Sequence, residues 1–187
     1  MKRSTMSLII IGALVLILLF TGIGSYNRLV SSETDVDNKF ATIDVQLQRR
    51  ADLIPNLVQT VKGYAAHEKE VLTAISDARA RLAGAGTPEQ KAAADSELTS
   101  ALSRLLVVVE NYPDLKADAQ FTRLMDELSG TENRIAVARK DYNDAVSVYN
   151  TKVRKFPAAI FAGMFGFDKK TYFQAKAGAE NAPDVKF

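Results

Sequence analysis

Apolar residues recur along residues 40–82 with a seven-residue beat. One row holds Phe40, Leu47, Ile54, Val61, Ile75 and Leu82; a second holds Ile43, Leu57, Tyr64, Val71 and Ala78. That spacing makes the narrow seam of a helix packed lengthwise against other helices. Two charges interrupt it, Glu68 in the first row and Arg50 in the second, and Pro55 sits inside the pattern. A proline within a helix removes one hydrogen bond and clashes with the carbonyl four residues back, yet it also serves as the first residue of a new helix. The chain is therefore expected to bend or break at Pro55.

The stretch Ala83 to Gln90 is punctuation. Gly84 and Gly86 stop one helix, Thr87 caps the next, Pro88 takes its first position, and Gln90 completes a capping box. The helix so opened carries Leu98, Leu102, Leu105, Leu106 and Val109 on one face, and Tyr112-Pro113-Asp114 turns the chain again. A further seam, Phe121, Leu124, Leu128, Ile135, Ala138, Tyr142, Ala145 and Tyr149, runs within residues 115–153. Val and Ile fall at helical rather than alternating spacing, so no strands are expected.

Met6 to Gly24 is apolar without a single charge. About 17–25 such residues span a bilayer as a helix, whereas the apolar core of a cleaved signal is only about 7–15 residues long. An uncleaved anchor is the expectation. Lys2, Arg3 and the terminal amine precede the span, against Arg28 and Lys39 after it, which favours a cytoplasmic amino end and an extracytoplasmic bulk. The fold expected is all-α: an amino-terminal transmembrane helix, residues 1–24, then an antiparallel up-and-down bundle of four helical segments over residues 25–155. Residues 156–187 form an aromatic, glycine-punctuated segment and a polar, mobile tail.

Composition removes several classes of chemistry. A net charge of +2 in 187 residues gives no case for nucleic acid, and without cysteine there is no disulfide, thiolate metal site or cysteine nucleophile. A di-metal carboxylate bundle needs paired Glu-x-x-His motifs, and the chain has one histidine, His67. Neither a nucleophile elbow nor a phosphate-binding glycine loop is present. No cofactor is expected.

Two groups of side chains remain as candidates. Arg49, Arg50, Asp52, Asn56, His67 and Glu68 could form a polar interaction site near Pro55. Arg50 and Glu68, at seam positions, need buried partners, and Asp126, Glu132, Arg134, Arg139 and Asp141 on the last long helix offer them. Setting the register of the bundle is the plainer role for such residues. Phe156, Phe161, Phe165 and Phe167, flanked by Lys152, Arg154, Lys155, Lys169 and Lys170, either rest on a membrane surface or cap the end of the bundle.

The run Gln46 to Val58, with Thr60 to Tyr64, His67-Glu68, Tyr112 to Ala117, Thr131 to Ala136, Tyr142-Asn143, Phe156-Pro157 and Phe165 to Phe167, resembles the LemA family of bacterial membrane proteins. The resemblance covers essentially the whole chain. It implies an amino-terminal anchor and an antiparallel four-helix domain outside the cytoplasm, with Pro55 a helix boundary or strong bend. It carries over no catalytic residue. The resulting expectation is a non-enzymatic, single-pass membrane scaffold whose partners are membrane lipid, further copies of itself and other membrane proteins. The alternative is a membrane-anchored sensor or ligand-binding module with its polar site near Pro55.

Overall fold

The computed structural model describes residues 3–174, with side chains from residue 9 onward, and those residues contain no strand. The helices are α1 (Arg3–Tyr64), α2 (Lys69–Gly84), α3 (Pro88–Val109), α4 (Pro113–Lys116), α5 (Ala119–Arg154) and α6 (Ala158–Phe165). The tail expected to be mobile lies, from residue 175 on, outside the described residues. The chain divides into two compact units, Lys39–Asn143 with Thr171–Phe187 and Met1–Asn38 with Asp144–Lys170, so α1 and α5 each supply a segment to both.

In the first unit, the bundle, the seams become the core. Ile43, Leu47, Ile54, Leu57 and Val61 of α1 are buried, as are Ile75, Ala78 and Leu82 of α2, Leu98, Leu102, Leu105 and Val109 of α3, and Phe121, Leu124, Leu128, Ile135, Ala138 and Tyr142 of α5. Leu106, Tyr64, Phe40 and Val71 depart from the pattern: the first two are exposed, Phe40 and Val71 are half-buried, and Leu72 is buried beside Val71. Thr87 accepts from the Gln90 backbone N–H at 3.2 Å, while the Gln90 side chain accepts from the Thr87 N–H, completing the expected capping box. Short connections join successive helices, which sets neighbours antiparallel.

Pro55 does not divide the first helix; α1 continues through it to Tyr64. The first chain reversal is at residues 65–68 instead, where Glu68 had interrupted the seam. A proline nitrogen cannot donate, so the carbonyl four residues back, that of Ala51, loses its helical partner. Arg79 of α2 replaces it: its Nε donates to the Ala51 carbonyl at 2.9 Å. Ala51 is buried, where an unpaired carbonyl would be expensive. The supply of this external donor is what lets a helix with an interior proline run on.

The second unit holds the amino-terminal part of α1. Its most apolar 18-residue window has a mean hydropathy of 2.4, none of it buried, long and apolar enough to cross a membrane. Beside α1 lie residues 144–154 of α5, then α6. Asn150 clasps the backbone of Lys170, accepting from its N–H and donating to its carbonyl, both at 2.9 Å. Lys170 in turn reaches Glu33 at 2.8 Å, which raises its pKa above the ordinary lysine value. Tyr149 is fully buried and its hydroxyl has no hydrogen-bond partner among the described residues. Burial, followed by the nearby Glu33, Asp168 and Asp37 carboxylates, pushes that hydroxyl up to about 12.

Two outcomes follow from these contacts. Replacing Arg79 by Met is expected to cost about 1.5–3 kcal/mol, as for a hydrogen bond from a charged donor. In a Pro55→Ala background, where residue 55 regains its N–H, the same change should cost less than about 1 kcal/mol; a thermal-unfolding double-mutant cycle reads the difference. Tyr149 titrates higher folded than unfolded, so its contribution is whole below pH 10 and is lost as pH rises from 10 through about 12. Tyr149→Phe should remove that alkaline loss while changing stability at neutral pH by less than about 1 kcal/mol, checked by unfolding at both pH values and by tyrosinate absorbance.

Candidate functional site

Helix α3 continues its seam one step toward its amino end, from Leu102 and Leu98 to Asp95, so that a carboxylate occupies a core position. Asp95 is 0% exposed and Arg50 of α1 only 3%. Burying an isolated charge is prohibitive, and here the charges meet. Arg50 Nη1 donates to Asp95 Oδ1 at 2.6 Å and lies 2.5 Å from Glu132 of α5, while Nη2 donates to the Thr99 hydroxyl at 3.1 Å. Arg139 of α5 donates to the other carboxylate oxygen of Asp95. Two guanidiniums thus face two carboxylates, drawn from α1, α3 and α5. The match is of charge more than of hydrogen bonds, since the Nε atoms of Arg50 and Arg139 are buried without acceptors among the described residues.

Both oxygens of Asp95 are occupied by these partners, and a polar cluster at seam positions is suited to fixing helix register. Of the expected partners for Arg50, Glu132 is one. Asp95 was not foreseen, although its place seven residues before Leu102 marked it as a seam residue.

The other polar candidates do not gather around Arg50. Arg49, Asp52 and Asn56 are exposed on α1, where Asp52 accepts from Gln48 at 2.8 Å. His67 is exposed in the first chain reversal. Glu68 finds its partner in a turn rather than on the last long helix: the Tyr112 hydroxyl donates to it at 3.0 Å. Close by in sequence, Tyr64 donates to Asp118 at 2.8 Å. These two bonds tie the reversal at 65–68 to the connection at 110–118. Both phenols are raised above the ordinary tyrosine value, chiefly by those bonds. Asp118 is lowered, first by the Phe121 N–H that it accepts as cap of α5 and then by Tyr64.

Asn143 of α5 repeats the clasp of Asn150 one heptad earlier, accepting from the Phe173 N–H at 2.8 Å and donating to its carbonyl at 3.1 Å. Phe173 is buried with Arg139 over its ring. Neither asparagine was singled out by the apolar periodicity, because each is a polar side chain whose partner is a backbone position far along the chain.

The aromatic candidates divide between packing and exposure. Phe161 lies against Gly22, where a Cβ would come within 2.9 Å of its ring, so this glycine is used inside the chain. Phe165 and Phe167 meet the Tyr26 ring edge-on at 5.0 and 5.7 Å. Phe167 is buried, but Phe156 is 81% exposed and Phe165 54%. Among the described residues no group of three or more His, Asp or Glu side chains is placed to hold a metal ion.

The sequence profile of the LemA family matches residues 39–187, which takes in the whole buried cluster. The chain belongs to the LemA family. Relatives include the magnetosome protein MamQ 2 of Paramagnetospirillum magneticum, 32% identical over 181 residues with 83% of this chain and 66% of that protein covered. Magnetosome protein MamQ of Magnetospirillum gryphiswaldense is 29% identical over the same span. Protein LemA of Metamycoplasma hominis is 25% identical over 157 residues, covering 83% of this chain and 72% of that one. The chain spans about two thirds of the length of its MamQ relatives.

If the LemA-family cluster is one unit, Asp95→Ala should cost about 3–5 kcal/mol, the penalty for stranding a buried arginine. Replacing Arg50 and Asp95 together by Met and Leu should cost far less, because Arg139 and Glu132 can turn to solvent. Unfolding midpoints of the single and double variants in mild detergent give the comparison.

Proposed function

We propose that this LemA-family chain is a non-enzymatic, single-pass membrane protein whose helical domain acts as a scaffold by self-association. The carrying observation is that one unbroken helix, α1, supplies both an unburied apolar segment long enough to cross a membrane and a seam of the bundle core. The charge pattern around the span favours a cytoplasmic amino end and an extracytoplasmic bundle. Support for a scaffold comes from the commitment of the buried charges to one another. Exposed apolar side chains at Val45, Leu106, Val107 and Val137 remain available to a second copy, and Gly12 and Gly24 leave open backbone on α1 for close helix approach in lipid.

A second reading, a ligand-binding module, has one observation in its favour. A groove of about 470 Å³ runs between α1 and α2 just beyond Pro55, lined by Val58, Lys62, Ala66, Lys69, Leu72 and Thr73 among others. That volume is within the usual range for small-molecule sites, about 300–1,000 Å³.

Crosslinking in native membranes separates the two. Scaffolding predicts a discrete ladder of homo-oligomers that survives dilution of the protein in the bilayer. A strict monomer at every density, joined to thermal stabilisation by a small ligand that is lost in Lys62→Glu, would favour the second reading.

A further inference from the structure

Three cations of the second unit, unlike its Lys170, are left without a carboxylate partner among the described residues. Arg28, one turn beyond Gly24 of α1, and Lys152 and Lys155 at the end of α5 line a groove of about 520 Å³. Among the described residues none of the three makes an ion pair, and no carboxylate lines the groove. Its other walls are mostly apolar, with Phe20, Leu29 and Phe156, and carry two hydroxyls, Thr21 and Ser25. Gly24 contributes no side chain there. The groove therefore has two halves of different chemistry, a cationic rim and an aromatic flank.

Its place along the chain is equally specific. Phe20 belongs to the apolar window of α1, and Arg28 is the first charge after it. Helix α6 lies at the same level, with Phe161 against Gly22 and Phe165 against Tyr26. Its other face leaves Ile160 and Met164 exposed. In a bilayer that level is where hydrocarbon gives way to headgroups, and an exposed apolar helix face beside unpaired cations is what an interfacial element requires.

We infer that the groove binds the headgroup of an anionic phospholipid, with Arg28, Lys152 and Lys155 around the phosphate and the first acyl methylenes against Phe20 and Phe156. Charge complementarity selects an anion, and the aromatic flank selects a lipid over a soluble phosphate. This deepens the proposed membrane scaffold and rests on its anchor: bound lipid would fix α5 and α6 against the end of the membrane segment.

The test uses the full-length chain in a neutral detergent, titrated with phosphatidylglycerol or phosphatidylcholine and read by native mass spectrometry. One phosphatidylglycerol should be retained per chain in preference to phosphatidylcholine. Each cation removed should weaken retention by about fivefold, and Arg28→Gln/Lys152→Gln/Lys155→Gln together by about a hundredfold. A control of equal charge change on the exposed bundle surface, Arg104→Gln/Arg123→Gln/Arg134→Gln, should stay within about twofold. Equal retention of both lipids, an equal loss in the control, or displacement of the lipid by inorganic phosphate would overturn the inference. Membrane fractionation of the same proteins is the separate readout of the anchor: if every variant stays in the membrane while lipid selectivity is absent, the groove assignment alone fails.

Discussion

The bundle is organised by a single carboxylate that cannot reach water. Asp95 lies at a core position of α3 and is accommodated only because Arg50 of α1 and Arg139 of α5 reach it from two other helices. A leucine there would tolerate sliding of one helix past another by a fraction of a turn. A carboxylate held by two guanidiniums does not, since a slip of one turn, about 5.4 Å, would strand the two buried charges, Asp95 and Arg50. Clusters of this kind are weak sources of stability and strong sources of uniqueness.

The same logic recurs on the backbone. Pro55 would leave a buried carbonyl unpaired, and Arg79 donates to it from the neighbouring helix. The reversal at 65–68 is joined to the connection at 110–118 by Tyr112–Glu68 and Tyr64–Asp118. Polar bonds thus fix where each helix may lie, while the apolar seam supplies the driving force.

Much of the fold was legible in the sequence because its core obeys a period. The seam of α5 was read correctly residue by residue, as was the Thr87 cap, since both are local patterns. The place of the first turn was not. Pro55 is the loudest local signal in α1, and its rescue depends on Arg79, which is 24 residues away and carries no mark of its purpose. The interruption of the heptad row at Glu68 was the quieter and truer sign. The candidate polar residues divided in the same way: Arg50 could be identified as a buried charge by its register, whereas Arg49, Asp52, Asn56 and His67 share its neighbourhood in sequence and lie at the surface. Asp95, at a seam position, was open to the same reasoning that found Arg50. The asparagine clasps of Asn143 and Asn150 were beyond it, because each pairs a lone amide with a distant backbone position.

The most direct measurement of the central claim is residue-resolved hydrogen exchange on the full-length chain and its Asp95→Asn variant. The account predicts that the slowest amides of residues 47–58, 95–105 and 131–142 open together, and that the variant accelerates all three stretches by the same factor. Acceleration confined to α3 alone would show that the helices are not tied through Asp95, and would contradict it.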